Sequence, residues 1–148
     1  MKIKLFNETK HKIPQNIIKQ LEELLPKHNK KLENSSISLI IKSEKSIAEL
    51  NKELFNHKGP TDVISVNSNE LTPHSSQPKA LLGELYICPS KIRSNAKKYK
   101  VSYHEELVRV IIHGILHLLG YDHVKAFGES REKMFKVQEA LLNKIKAT

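Results

Sequence analysis

Only one cysteine, Cys88, occurs in the 148 residues, so no internal disulfide can form and a reducing compartment is the natural setting. The same scarcity excludes a cysteine-rich structural zinc site, whose four protein ligands are commonly thiolates. Glycine is sparse, and none of it forms the G-x-G-x-x-G loop of a dinucleotide site. Internal repeats are absent. Acidic residues are outnumbered, 16 Asp plus Glu against 25 Lys plus Arg. The net charge of +9 favours a polyanionic partner such as nucleic acid or an anionic membrane surface. A bilayer-length apolar run is missing: the longest, around residues 110–123, is too short and is broken by histidines. The opening Met-Lys-Ile-Lys-Leu-Phe lacks the apolar core of a signal peptide. The expectation is a cytoplasmic protein without a membrane partner, built as a single domain spanning 1–148.

What is present alternates between strand and helix signals. Ile3 and Leu5 alternate with lysines and predict a short strand. A helix begins near Pro14, carries Ile17, Ile18, Leu21, Leu24 and Leu25 on one side, and is expected to end at Pro26. Residues 36–41 read as a second strand. Ser43 caps a helix whose buried stripe is Ile47, Leu50 and Leu54. A turn-rich breaker at 56–60 leads to a strand with Val63, Ile64 and Val66. Residues 67–79 lack apolar periodicity and predict a long loop. A fourth strand spans 81–87. Pro89 then opens a helix bearing Lys91, Arg93, Lys97, Lys98 and Lys100, the densest basic segment and a candidate phosphate-contacting face. A final helix from about 129 to 146 packs through Met134, Val137, Leu141 and Ile145. The pattern predicts an α+β fold with about four strands in one mixed sheet flanked by helices.

The most informative stretch is 110–123. Ser102 to Glu105 forms a capping box, and the helix it starts is apolar nearly all round up to about Leu119, so it belongs in the core. Its polar residues, Glu105, Arg109, His113 and His117, recur at intervals of four and share one ridge. Gly120 allows the helix to stop and the chain to reverse, which can bring His123 back beside the first two histidines. Three imidazoles at H-x-x-x-H-x-x-G-x-x-H spacing are the ligand set of one catalytic Zn2+ whose fourth position is left for water. Metzincin proteases share this spacing but carry a Glu after the first His as general base, where this chain has Gly114. A buried helix is a rigid mount for such ligands. Three buried, separately hydrogen-bonded core histidines are the plain alternative.

Residues 113–123, His-Gly-Ile-Leu-His-Leu-Leu-Gly-Tyr-Asp-His, resemble the signature of the YbeY-type rRNA maturation factors. Pro-Thr-Asp-Val-Ile-Ser at 60–65 and Leu-Gly-Glu-Leu-Tyr-Ile at 82–87 agree in order and separation. The resemblance extends from about Ser43 to the end. It implies a zincin-like fold with a buried metal-binding helix, and a zinc-dependent, single-strand-specific endoribonuclease. The implied task is rRNA processing, the maturation of the 3′ end of 16S rRNA, with ribosome quality control. The implied partners are rRNA, the small ribosomal subunit and ribosome-associated proteins. His113, His117 and His123 match the family's metal ligands. Two departures stand out. The family places an arginine in an Asn-x-x-Tyr-Arg pattern where this chain has Asn51 and Phe55, and a Phe-Pro ends the family's strand where this chain has Val66 and Asn67. Lys52, His57 or Lys58 are candidates to replace the lost charge.

A metal with an open position lowers the pKa of its water to about 7 and polarises a bound oxygen. The attacking group is then that water or, in RNA, the neighbouring 2′-hydroxyl, and the residues leave both open. Arg109 is a candidate for stabilising phosphate charge, or an i, i+4 ion-pair partner of Glu105. Asp122 is a candidate for orienting an imidazole, or for capping the turn. His57, Lys58, His74 and His104 read as surface residues, and Cys88 as a small apolar filler. Two further functions are weighed. A metallopeptidase would need another carboxylate, such as Glu84 or Asp122, to replace the missing base. A non-catalytic RNA-binding ribosome-assembly factor would use the metal only to organise a surface.

Overall fold

Four β-branched and leucine-rich segments pair into one sheet. The computed structural model describes residues 1–68, 81–121 and 129–146. Its strands are β1 (Lys2–Asn7), β2 (Ser36–Ile41), β3 (Val63–Asn67) and β4 (Leu81–Ile87). They lie in the order β1-β2-β4-β3, with β1, β2 and β4 mutually parallel and β3 antiparallel to β4. The sheet is therefore mixed, as the sequence predicts. Parallel neighbours need a crossover. The helix α1 (Gln15–His28) makes the first, and α2 (Glu44–Phe55) with β3 makes the second. After β4 come α3 (Pro89–Tyr99), α4 (Tyr103–Leu118) and α5 (Glu129–Lys146). The loop expected over 67–79 begins instead with the last residue of β3, Asn67, and from residue 69 onward lies outside the described residues.

The two faces of the sheet are unequal. Side chains alternate along a strand, so Leu85 and Ile87 of β4 share one face with Ser65 and Val63, their partners on β3. This face carries the main core, where Leu39, Leu85 and Ile87 meet Leu21 of α1 and Ile111 and Ile115 of α4. The other face carries Ile64, Val66 and Tyr86 and is covered by Ile47 and Leu50 of α2.

α4 meets the sheet at Gly114, whose bare Cα faces Leu85 of β4. A Cβ there would stand 2.7 Å from Leu85 Cδ2, so any side chain would force the fully buried Leu85 to shift. The position that holds the general base in metzincins therefore points into the core, not towards a site.

Two expectations are corrected. Pro26 does not end α1, which continues to His28. Proline removes one helical N–H, but Leu25 beside it is fully buried, and the Asn29 N–H closes the last turn on the Leu25 carbonyl at 3.1 Å. Leu54 is not part of a buried stripe: it is exposed, while Ile47 and Leu50 of the same helix pack against the sheet.

Candidate metal centre and cleft

Ser102 Oγ accepts the Glu105 N–H at 3.0 Å and starts α4 where the capping box predicts. The other end closes as a Schellman turn. The Tyr121 N–H reaches the Leu116 carbonyl and the Gly120 N–H reaches the His117 carbonyl, both at 3.0 Å, with Gly120 at φ +92°. Gly120 thus ends the helix as expected, and the reversal towards His123 lies outside the described residues. Asp122 and His123 lie outside the described residues.

The polar ridge on α4 divides into two halves with different work. In the first half, Arg109 is gripped by three carboxylates. Its Nη2 donates to Glu105 at 2.9 Å, its Nη1 to Glu106 at 2.8 Å, and its Nε and Nη2 to the two oxygens of Glu139 on α5 at 3.0 and 3.1 Å. These bonds hold its guanidinium charged, above its ordinary range. In return, Arg109 holds the Glu139 carboxyl below the usual carboxylate range. Glu105 is lowered too, first by Lys146, whose Nζ lies 2.8 Å away, and then by Arg109. The geometry makes Arg109 an ion-pair hub joining α4 to α5.

In the second half, His113 and His117 converge. Their rings meet edge to face with centroids 4.5 Å apart, and their Nε2 atoms are 2.9 Å apart. His113 Nδ1 stands 2.7 Å from Oε1 of Gln138, which is buried on α5. Gln138 Nε2 donates to Glu139 at 3.1 Å. That second bond fixes the amide: its NH2 must face the carboxylate, so its oxygen faces the imidazole. An amide oxygen only accepts, so His113 Nδ1 carries a proton, and in the neutral ring Nε2 presents its lone pair. The chain Arg109–Glu139–Gln138–His113 therefore sets one tautomer and one ring orientation, the outer-shell arrangement typical of a metal-ligating histidine. Gln138 and Glu139 are absent from the sequence reading. The available signal was a glutamine among Met134, Leu141 and Leu142 on the apolar side of the final helix.

Among the described residues, no third His, Cys, Asp or Glu joins the histidine pair. Glu84 does not approach it. Its partner on β3 is Val66, so it shares the sheet face covered by α2, where it accepts the Tyr86 hydroxyl. Burial first, and then that bond, raise the Tyr86 pKa above its ordinary range.

A cleft of about 600 Å³ opens over the imidazoles. One wall is α4, with His113, His117 and Leu118, ending in Gly120. β3 contributes Ser65 and Asn67, and α2 with its following turn contributes Asn51, Phe55, His57 and Thr61. That second wall is tied in place. Asn56 takes a left-handed conformation at φ 55° and ends α2, and the buried Asn51 donates its amide to the Gly59 carbonyl at 3.0 Å. Of the residues considered as replacements for a missing cation, His57 lines the cleft, whereas Lys52 bonds the Asn56 side chain at 2.7 Å. His104 is exposed, and His74 lies outside the described residues. On α3, the Arg93 guanidinium stacks on the Tyr103 ring at 4.2 Å and ties the basic helix to the start of α4.

Comparison with known proteins converges on one family. The family model described as Endoribonuclease YbeY matches residues 4–146. The chain is 35% identical to the Endoribonuclease YbeY of Thermotoga neapolitana, over 97% of this chain and 88% of that one. It is 31% identical to the protein of the same name from Micrococcus luteus, over 98% and 92% of the two chains. A solution structure of a Thermotoga maritima protein superposes with a TM-score of 0.65 at 29% identity, covering 97% of this chain and 88% of that one. No helix among the described residues is long and apolar enough to cross a membrane.

Proposed function

This chain belongs to the YbeY endoribonuclease family, and from that membership we propose that it is a zinc-dependent endoribonuclease that cuts single-stranded RNA in the cleft over His113 and His117. The observation that carries the reading is the paired Nε2 atoms, one with its lone pair set by Gln138, at the floor of an open cleft. The donor set fits a zinc ion: neutral imidazole nitrogens are its preferred ligands, and the Gln138 bond leaves His113 in the tautomer that binding requires. His113, His117 and, by the motif spacing, His123 would hold it, in a zincin-like setting of metal helix against sheet. When bound, such an ion supplies Lewis acidity to a phosphodiester oxygen and acidifies water.

The rest is work for the chain's own groups. The α4 wall keeps the two imidazoles in one orientation. The cleft opens to the surface, and the net charge of +9 on the chain as a whole favours association with a polyanion. Arg109 helps indirectly, by holding Glu139 and through it Gln138. The wider role is rRNA processing at the 3′ end of 16S rRNA, with ribosome quality control, on the small ribosomal subunit in the cytoplasm. A peptidase reading has little support: Gly114 lies against Leu85, and Glu84 is on the far sheet face.

To test this, purified protein is incubated with single-stranded and duplex RNA of equal length, with and without chelator. The reading predicts cleavage of the single strand, abolished by chelation and restored by zinc. Intact RNA under all conditions, alongside salt-sensitive binding, would instead make the protein a non-catalytic assembly factor.

A further inference from the structure

We propose that Phe55, with His57 beside it, is a stacking platform for one unpaired nucleobase of the RNA strand entering the cleft; this rests on the endoribonuclease reading above. Phe55 is 46% exposed, a large apolar ring left in water on the wall facing the imidazoles. The exposure is built in. Phe55 is the last residue of α2, the left-handed Asn56 stops the helix immediately after it, and the His57 N–H turns back to the Asn51 carbonyl at 3.3 Å. Asn51 itself is buried and holds Gly59, so the ring stands on an anchored turn.

The two rings have centroids 6.2 Å apart and planes inclined at 39°. That separation lies within the range of direct ring contact, so they make one angled surface and leave no slot between them. A base would lie on this surface, its edge towards the hydroxyls of Thr61 and Ser65, which line the same cleft. The chemistry selects a nucleobase because it combines an apolar face with a hydrogen-bonding edge. It selects an unpaired one because in a duplex both faces are already stacked. Since every base has such a face, the platform prefers single strands without reading sequence.

The chain contains no tryptophan, so Phe55→Trp installs a single fluorescent ring at this position. Its emission is followed while titrating a short oligouridylate, and separately an abasic ribose-phosphate chain of equal length. Quenching by the first and not the second is expected. Phe55→Ala is expected to weaken oligouridylate binding by roughly 5- to 100-fold, to leave abasic binding and the salt slope unchanged, and to be rescued by Phe55→Tyr. Equal loss towards both ligands, or no loss, overturns the platform. If the unaltered chain binds and cuts RNA while all Phe55 variants match it, the platform fails and the nuclease stands. If the unaltered chain neither binds nor cuts RNA, both fall.

Discussion

The two walls of the cleft are built on opposite plans. The α4 wall is internal scaffolding: its histidines rest on a helix buried over most of its surface, and His113 is aimed by a relay of side chains reaching α5. The α2 wall presents exposed rings on an anchored turn beside the partly buried hydroxyls of Thr61 and Ser65, backed by a small cluster of four buried residues, Ile47, Ile64, Val66 and Cys88. The first plan suits chemistry, where a ligand atom must be held closely in place. The second suits recognition, where a surface must accept varied bases. The contrast teaches that in this protein rigidity and exposure are assigned to separate elements meeting across one cavity.

Changes on the rigid wall should therefore act on metal and rate, and changes on the other wall on RNA affinity. The largest effect is expected from His117→Ala, which removes one of the proposed ion ligands. RNA cleavage should fall below detection, while circular dichroism shows an intact fold. Retained cleavage would place the chemistry elsewhere. Next, Gln138→Leu removes the acceptor that sets His113. Zinc affinity, read by competition with a chelating dye, should fall by about 10- to 100-fold, while oligouridylate binding to the zinc-free protein is unchanged. Loss of RNA binding instead would erase the distinction between the walls.

Gly114→Ala should cost about 1–3 kcal/mol of stability in denaturant titrations, because its methyl meets Leu85. An unchanged midpoint would mean that the helix gives way at little cost. The smallest effect concerns acid. Glu139 and Glu105 have carboxyls lowered from 4.5 in the folded state, so the stability they contribute is present at neutral pH. It is lost as pH falls below 4.5 through their folded values. Thermal unfolding across that range should show a shallower acid loss for Arg109→Gln than for the unaltered chain; parallel curves would remove Arg109 from the brace.

Much of this was legible in the residues. β1 shows as period-two alternation, β2 as a short β-rich run and α4 as an apolar segment capped by Ser102, because these signals are local. The spacing of His113 and His117 shows for the same reason, since i, i+4 positions share a helical face. What stayed hidden depends on contacts between elements. Nothing near Arg109 in sequence says that Glu139, thirty positions on, will close around it. Gln138 reads as an ordinary interruption of an apolar stripe until α5 is docked on α4. Leu54 reads as core because its spacing fits, yet it is exposed while Ile47 and Leu50 of the same helix pack against the sheet. Pro26 reads as a stop because the anchoring of Leu25 is a tertiary fact. Phe55 was visible as a departure from the family pattern, but its place on the cleft wall was not.

The proposal that His113 and His117 hold an ion is tested most directly by the metal content of the purified protein beside its His113→Ala and His117→Ala variants. It predicts one zinc per chain, lost in both variants while they remain folded. A zinc content untouched by both substitutions, or a cleaving protein that holds no metal at all, would contradict it.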